Sequence, residues 1–320
     1  MASSRPFAVS AALTAIAIAY RNPAYSFIAD QVLPYVPVPA EKFKWTFYDL
    51  AQGFTVPETR VGRKGRVNEV EFTGQERDGS TEDHGLDAPV PNSDINEARR
   101  LRELNLSTYD PEKVAAQFLA DLMLLRREIR ASAVVQNPSN YVAANRVNIV
   151  DADDRFDTDG SDPYAILDEL LSETLGPRPN TVAMGQPVWT KIKKHPRLIK
   201  AVKGGLTDEG AITKQQLAEL LEVRQVLVGE SRLNVAMPGQ EANLQRVWGK
   251  SIQGLFINPT VTTEMGMTWG YTARLGDKFG GTIEDSDVGL EGGVKVRVGE
   301  KSREMTVAPE LGFIIQNAVS

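Results

Sequence analysis

Residues 54–100 are dense in charge, rich in turn formers and poor in core-forming side chains. In the first half, residues 56–72, apolar and charged residues alternate with a period near two, the pattern of strands with little core behind them. The second half, residues 75–92, is acidic, is punctuated by Gly and Pro, and carries turn signals at Asp78-Gly79 and His84-Gly85. A compact domain seldom carries so long an excursion unless it is functional or disordered. Disorder is the plain reading. The alternation favours the other one, a two-stranded arm whose partners lie on another molecule. An isolated hairpin is marginal in water, so such an arm becomes stable once docked. The stretch points to assembly rather than catalysis.

Composition narrows the classes. A 320-residue chain holds one large or two modest domains. Its net charge of -6 argues against tight, non-specific nucleic-acid binding by the chain as a whole, though a local basic face stays open. The absence of cysteine removes disulfides, thiolate nucleophiles and Cys-based zinc sites, and is compatible with the cytosol. Residues 7–19 are apolar and Ala-rich behind Arg5. They have the length and small residues of a secretory signal, yet their weak hydrophobicity and single basic residue favour a short helix ended by Asn22-Pro23. They are too short to span a bilayer. In residues 27–39, Pro34, Pro37 and Pro39 exclude helix and central strand alike, so this run reads as an arm laid over a surface.

Beyond the charged stretch, Asp110-Pro111-Glu112 is a strong helix start: Asp as cap, Pro at the first helical position, an acid in the first turn. Val114, Phe118, Leu122, Leu125 and Ile129 recur on one face, widened by Ala115, Leu119 and Met123, and predict the buried side. Arg126, Arg127 and Arg130 fall in the last turns. A helix reaching Val135 is about 35 Å long at 1.5 Å per residue. Residues 141–150 read as a strand pair or strand and loop, and 151–162 as an acidic loop. A capped helix from Asp162-Pro163 stops at Gly176. Next come a strand at 181–184, helices after Gln186-Pro187 and His195-Pro196, a helix over 213–222 and a strand at 225–228. Later strands are expected at 252–257, 267–271, 294–298, 303–307 and 311–318, with 276–293 as a Gly- and acid-rich loop. Helices and strands mix without βαβ regularity, which gives an α+β class.

Catalytic constellations are missing from the sequence. His84 and His195 have no helical histidine partner, and no nucleophile turn of the Gly-x-Ser-x-Gly kind occurs. His84 reads as a solvated loop residue and His195 as a helix-end residue. No phosphate loop is present, and Gly280, Gly281, Gly292 and Gly293 lack dinucleotide-binding spacing, so they read as turn residues. Asp157-Thr158-Asp159-Gly160 imitates the middle of an EF-hand, but Arg155 and Ile166 then occupy the first and twelfth ligand positions. A full EF-hand is excluded, leaving a capped solvent loop or an incidental weak cation site. Catalytic, cofactor and metal sites are therefore expected to be none. Basic clusters at 60–66, 99–102, 126–130 and 191–203 could pair with acids of neighbouring subunits or contact phosphates. Aromatics are not interleaved with them as a single-strand groove requires, so subunit ion pairing is the favoured reading and phosphate contact by the 126–130 face the secondary one.

The order of segments resembles a family. An N-terminal arm, a long charged hairpin, a long spine helix and an α+β remainder make the layout of tailed-phage major capsid proteins with the Hong Kong 97-type fold. Short passages look similar to Mu-like and related siphophage members: Ile28-Ala29-Asp30-Gln31-Val32-Leu33-Pro34 with Val36-Pro37-Val38, then Lys44-Trp45-Thr46-Phe47, and Ala308-Pro309-Glu310-Leu311-Gly312-Phe313-Ile314-Ile315. The likeness covers nearly the whole chain in layout, with no single motif decisive.

The resemblance implies an N-arm over residues 1–46 and an extended loop over 47–100. It implies a peripheral domain with the spine helix over 101–160, an axial domain over 161–265, peripheral strands over 266–310 and an axial C-terminal strand over 311–320. It further implies a structural, non-enzymatic subunit without cofactors, forming pentamers and hexamers that close into an icosahedral head around double-stranded DNA, assembled in the host cytoplasm without a membrane. Portal and separate scaffolding or cement proteins are the implied partners. Because the arm begins almost at Met1, no removable scaffolding segment is expected. Expected contacts between subunits are Glu58, Arg60, Arg63, Lys64, Arg66, Glu69, Glu71 and Glu82 on the loop, and Phe27, Ile28, Val32, Leu33, Tyr35 and Val36 on the arm. Arg126, Arg127 and Arg130 are the candidates to face DNA. Some family members weld subunits through a Lys–Asn bond; Lys64 sits where such a lysine would be, but no acceptor or acid is marked, so no cross-link is expected. An encapsulin-like compartment with the same fold and, from another class, a secreted hydrolase are the rival readings.

Overall fold

The structure, a computed structural model, describes residues 8–22, 26–48, 52, 54–63, 65–71, 73–174, 176–205, 207–237 and 239–320. In chain order the N-terminal half comprises β1 (Ala8–Val9), α1 (Ala11–Ala19), α2 (Ala29–Val32), β2 (Tyr35–Pro37), β3 (Lys42–Tyr48), β4 (Gly74–Ser80), β5 (Glu82–Pro91), α3 (Asn92–Glu103) and α4 (Pro111–Val135). Then follow β6 (Arg146–Asn148), α5 (Pro163–Glu173), β7 (Thr181–Gly185), α6 (Gln186–Ile192), α7 (Pro196–Val202) and α8 (Lys214–Leu220). The remaining strands are β8 (Gln225–Gly229), β9 (Arg232–Asn234), β10 (Leu244–Arg246), β11 (Ile252–Leu255), β12 (Gly270–Arg274), β13 (Phe279–Asp285), β14 (Gly293–Thr306) and β15 (Gly312–Gln316).

Two mixed sheets carry this α+β architecture. The first has the order β1-β13-β14-β12-β2, with β5 also paired to β14; the second runs β6-β15-β11-β7-β8. The spine helix α4 starts where its capping chemistry requires: the Asp110 side chain caps it, Pro111 occupies the first turn and Glu112 adds a favourable charge there. It packs over β14 and β5, burying Ala116, Leu119 and Met123 against Val90, Val296 and Val298, with Leu13 and Ala17 of α1 closing the cluster. Around the second sheet, Leu167, Leu171, Trp189, Leu198 and Leu217 from α5 to α8 pack on Val182, Val226 and Phe313. Between the two sheets lies a third cluster, built on Trp248, Trp269, Tyr141, Leu33 and Val135.

Several expectations need correction. Residues 55–63 and 65–71 form no strand; the paired legs of the hairpin are β3 and β4, from Lys42↔Ser80 to Tyr48↔Gly74. Period-two alternation marks a chain able to pair, and this segment meets no partner strand among the described residues. The acidic stretch that follows, expected as turns, is instead β4 and β5, and His84 is a strand residue opposite Glu300. Ten registered pairs with β14 override the poor strand propensity of its Asp, Gly and Pro. Helix α3 and the β9-β10 ribbon had no clear sequence signal. The strands expected at 294–298 and 303–307 are one 14-residue strand, and β12 begins three residues later than the expected start at 267. Gly280 is no turn residue: it lies in β13, where an added Cβ would sit 2.6 Å from the Leu13 backbone, so α1 approaches the sheet over a bare position.

On α4 the expected face holds only at its margin, where Leu119 and Met123 are buried. Phe118 is 67% and Leu122 53% exposed, whereas the buried row is Ala116, Ala120, Met123, Leu124, Arg127, Ala131 and Val135. Small residues let the helix approach β14 closely, and that packing outweighs the burial of the bulkier stripe.

Candidate assembly surface

The extended loop leaves the body on the β3-β4 ribbon, which is anchored by Phe43 and Trp45 packing with Val36, Val38 and Tyr271. Arg77 stacks over the Phe47 ring at 4.0 Å and over Trp45 at 5.5 Å, and Lys44 pairs with Glu76 at 2.6 Å. Beyond the ribbon, Glu58, Arg60, Arg63, Arg66, Glu69 and Glu71 are all exposed. The Glu58 carboxylate accepts the Arg60 N–H at 2.9 Å and its carbonyl accepts from Asn68 at 2.6 Å. Arg60, Arg63, Arg66, Glu69 and Glu71 form no ion pair among the described residues. Lys64 lies outside the described residues. Glu82 belongs to β5, where its carboxylate stands 3.9 Å from Arg303 of the same chain. Val56, Val67 and Val70 are 82%, 74% and 50% exposed, so the loop presents both apolar and charged groups outward.

The N-terminal segment does not lie free on the surface. Ile28, Val32, Leu33 and Val36 are buried in their own chain, and β2 adds to the first sheet as a parallel edge strand beside β12. An edge is where its prolines are tolerated. Phe27 and Tyr35 are half-buried. The single turn of α2 is held by a side chain of the spine helix: Glu128 accepts the N–H groups of Ile28 at 3.1 Å and Ala29 at 2.8 Å, and the indole N–H of Trp248 at 2.6 Å. Burial pushes this carboxyl above its ordinary range, against the pull of those donors and of Arg127.

Two of the three spine arginines are structural. Arg127 is 2% exposed; it donates to the Leu33 carbonyl at 3.0 Å, pairs with Asp30 and stacks over the Tyr35 ring at 3.8 Å. Burial pulls its guanidinium down to about 10, opposed by Glu300 and Glu304. Arg130 reaches Glu304 at 2.9 Å and Glu300 at 3.3 Å, and Lys278 stands 3.7 Å from Glu300. Burial lowers Lys278 to about 8. Burial also works to raise Glu300, but Lys278, Arg127 and Arg130 outweigh it and hold the carboxyl below the usual range. The expectation that Arg127 and Arg130 face DNA is therefore corrected: β14 carries the acids that draw both inward. Arg126 alone of the three is exposed.

Sequence reasoning missed Asp30, Glu128, Trp248, Lys278, Glu300 and Glu304. One signal was present: Arg127 and Glu128 fall in register with Ala116, Ala120 and Ala131, a row of small residues that marks close packing. Elsewhere, His195 is buried at the start of α7 with Nε2 3.1 Å from the Thr158 carbonyl and 3.2 Å from Ser161 Oγ, a helix-entry role. In the acidic loop, Asp157 accepts the Ser320 N–H at 3.3 Å and Asp162 caps α5. No group of three or more potential metal ligands gathers among the described residues.

A scan against protein-family models finds no match. Among curated proteins, the chain is 45% identical over 318 residues, 99% of each chain, to the major capsid protein of Pseudomonas phage JBD67. It is 27% identical over 288 residues, 88% of this chain and 87% of the relative, to the major capsid protein of Burkholderia phage BcepMu. Among solved structures, a phage-related protein from Bordetella bronchiseptica RB50 superposes with a TM-score of 0.75 at 22% identity over 98% of each chain. The capsid of Cyanophage P-SCSP1u does so with 0.57 at 10% identity, covering 99% of this chain and 92% of the other.

Proposed function

The chain belongs to the family of phage major capsid proteins, with the Hong Kong 97-type α+β fold, and from that premise we propose how its copies hold one another. It is a structural component of the virion and not an enzyme, which sets the hydrolase reading aside. Copies assemble into a multi-subunit shell.

In our reading the copies form pentamers and hexamers that close an icosahedral head around double-stranded DNA, assembled in the host cytoplasm. The observation that carries this is the extended loop: exposed valines and five charged side chains without an ion partner among the described residues. A neighbouring copy supplies the counter-charges for Arg60, Arg63 and Arg66, and the cations for Glu69 and Glu71. Contacts of this sort are individually weak and become strong when each subunit makes several at once. We assign the first sheet with α4 to the peripheral domain and the second sheet with α5 to α8 to the axial domain. Of the spine arginines, Arg126 is the one available to packaged DNA; portal and separate scaffolding or cement proteins complete the proposed partners. No helix among the described residues is long and apolar enough to cross a membrane.

Both curated relatives carry the name major capsid protein, which favours a viral head over an encapsulin-like compartment. Negative-stain microscopy of the expressed chain tests the reading: capsomers, tubes or shells are expected, and a compact monomer at every concentration overturns it. Particles isolated from lysed host cells should contain phage DNA; an enzyme cargo would favour the compartment.

A further inference from the structure

Both roots of the extended loop are fastened to a single strand by charge. The entry is β2, which leads through Glu41 into β3; the exit is β5, which follows β4 directly. Strand β14 pairs with β5 over ten positions, and its side chains alternate between two faces. On the outer face, Lys301 pairs with Glu41 of the entry and, at 3.3 Å, with Asp83 of the exit. Arg297 pairs with Asp87 at 2.6 Å, and Arg303 stands 3.9 Å from Glu82. Exposed pairs of this kind are individually weak.

The inner face, beneath α4, carries the stronger fastening. Arg130 reaches Glu300 at 3.3 Å and Glu304 at 2.9 Å, Arg127 lies 4.0 Å from Glu304, and Lys278 stands 3.7 Å from Glu300. From the entry, Tyr35 donates its hydroxyl to Glu300 at 3.3 Å, and its ring carries Arg127 at 3.8 Å and Arg274 at 4.5 Å. From the exit, His84 faces Glu300 in register, and its Nε2 is buried without a hydrogen-bond partner among the described residues. At the margin, Asp30 pairs with Arg127 and, at 3.7 Å, with Arg21, while Asp277 pairs with Arg274 at 3.0 Å. Glu128 holds the N–H groups of Ile28 and Ala29. Arg127, Glu128, Lys278, Glu300 and Glu304 are all of the buried Arg, Lys, Asp and Glu side chains among the described residues. That buried charge is gathered where the two roots meet the spine helix.

With its acids ionised the cluster is balanced: Arg127, Arg130 and Lys278 stand against Glu300, Glu304 and Asp30. Acid upsets the balance in one direction only. The guanidinium groups do not lose their protons, and an imidazole adds positive charge on acidification. A buried charge stripped of its partner is strongly destabilising, so the cations are relieved by letting water in. We propose that this cluster is an acid-operated lock on the roots of the extended loop: ionised, it clamps β2 and β5 to the spine helix, and protonated, it frees both together. The outer pairs of Glu41, Asp83, Asp87 and Glu82 weaken in the same sense. Burial works to raise Glu300, but Lys278, Arg127 and Arg130 hold it below the usual range. Its contribution is present above the ordinary glutamate value and lost as pH falls through the native one, so the lock opens below the ordinary value. The device is internal to the subunit and does not depend on how copies assemble.

Hydrogen exchange of the full chain as dissociated subunits tests this, with protection factors corrected for the intrinsic pH dependence of exchange. Spectra are taken at pH 7 and at about pH 3.5, below the ordinary glutamate value. Amides of β2 and of residues 82–88 should both lose protection by about tenfold or more in acid, and regain it on return to pH 7. Amides of β7 and β11, in the second sheet, should keep theirs. Unchanged protection in either root overturns the lock, and so does an equal loss in β7 and β11, which is general acid unfolding. Glu300→Gln combined with Glu304→Gln imitates the protonated acids: at pH 7 it should show both roots already exchanging fast, with little further change in acid. Wild-type protection of the roots in that variant also overturns the proposal. Should the variant not fold, the pH comparison on the unmodified chain decides.

Discussion

Trp248 donates its indole N–H to the Glu128 carboxylate at 2.6 Å, joining the segment before β11 to the spine helix in the cluster between the two sheets. The same carboxylate caps α2, so one buried group positions three separate segments. Glu128→Ala strands three donors and should destabilise the subunit by about 3–5 kcal/mol, read by denaturant unfolding of the dissociated protein. Glu128→Gln keeps one acceptor oxygen and should cost less. Burial raises the native pKa of Glu128, so its contribution is fullest below the ordinary glutamate value and is lost as pH rises through the native one.

Arg126 and Arg127 are adjacent in sequence and opposite in environment. Arg127→Ala should cost about 3–5 kcal/mol, because Asp30 and the acids of β14 lose a buried counter-charge. Arg127→Lys should not restore it, since an ammonium can neither stack flat on Tyr35 nor reach several acceptors in one plane. Arg126→Ala should stay within about 0.5 kcal/mol. Equal losses at the two positions would refute the inward placement of Arg127.

Lys278 and Glu300 set pH dependences of the same sign in different windows. The native lysine titrates near 8 against an ordinary 10.5, so the unfolded state binds more protons between those values and stability rises across that window. Relative to Lys278→Met, the wild type should gain roughly 1–3 kcal/mol from pH 8 to 10.5. Glu300 is depressed; its contribution is present above the ordinary glutamate value and lost as pH falls through the native one. The stability gap between wild type and Glu300→Gln should therefore close on acidification.

Charge reversal on the loop separates folding from assembly. Arg60→Glu with Arg63→Glu should abolish particles in negative stain while leaving the circular dichroism and unfolding midpoint of the dissociated subunit unchanged, because neither residue has an ion partner among the described residues. Normal particle yield would count against a role for these cations.

Local chemistry was enough to locate many of the elements. Asp110-Pro111-Glu112, Asp162-Pro163 and Thr213 with Gln216 start helices where they should, since a cap needs only residues a few positions apart. Gly176, at a φ of 105°, stands just beyond the end of α5 for the same reason. The assembly reading of the charged stretch was likewise local: too many charges, too little to bury.

What the sequence alone determined, then, was the capped helices, several of the strands, the α+β class and an excursion with no core of its own. The tertiary structure decided which face of α4 is buried, that Arg127 and Arg130 turn inward, and that acidic residues 82–91 form a strand. Each of these depends on β14, a strand about 160 to 220 residues further along the chain. Periodicity and capping report on neighbours in sequence; a buried counter-charge or a ladder partner is supplied from elsewhere and leaves no local mark.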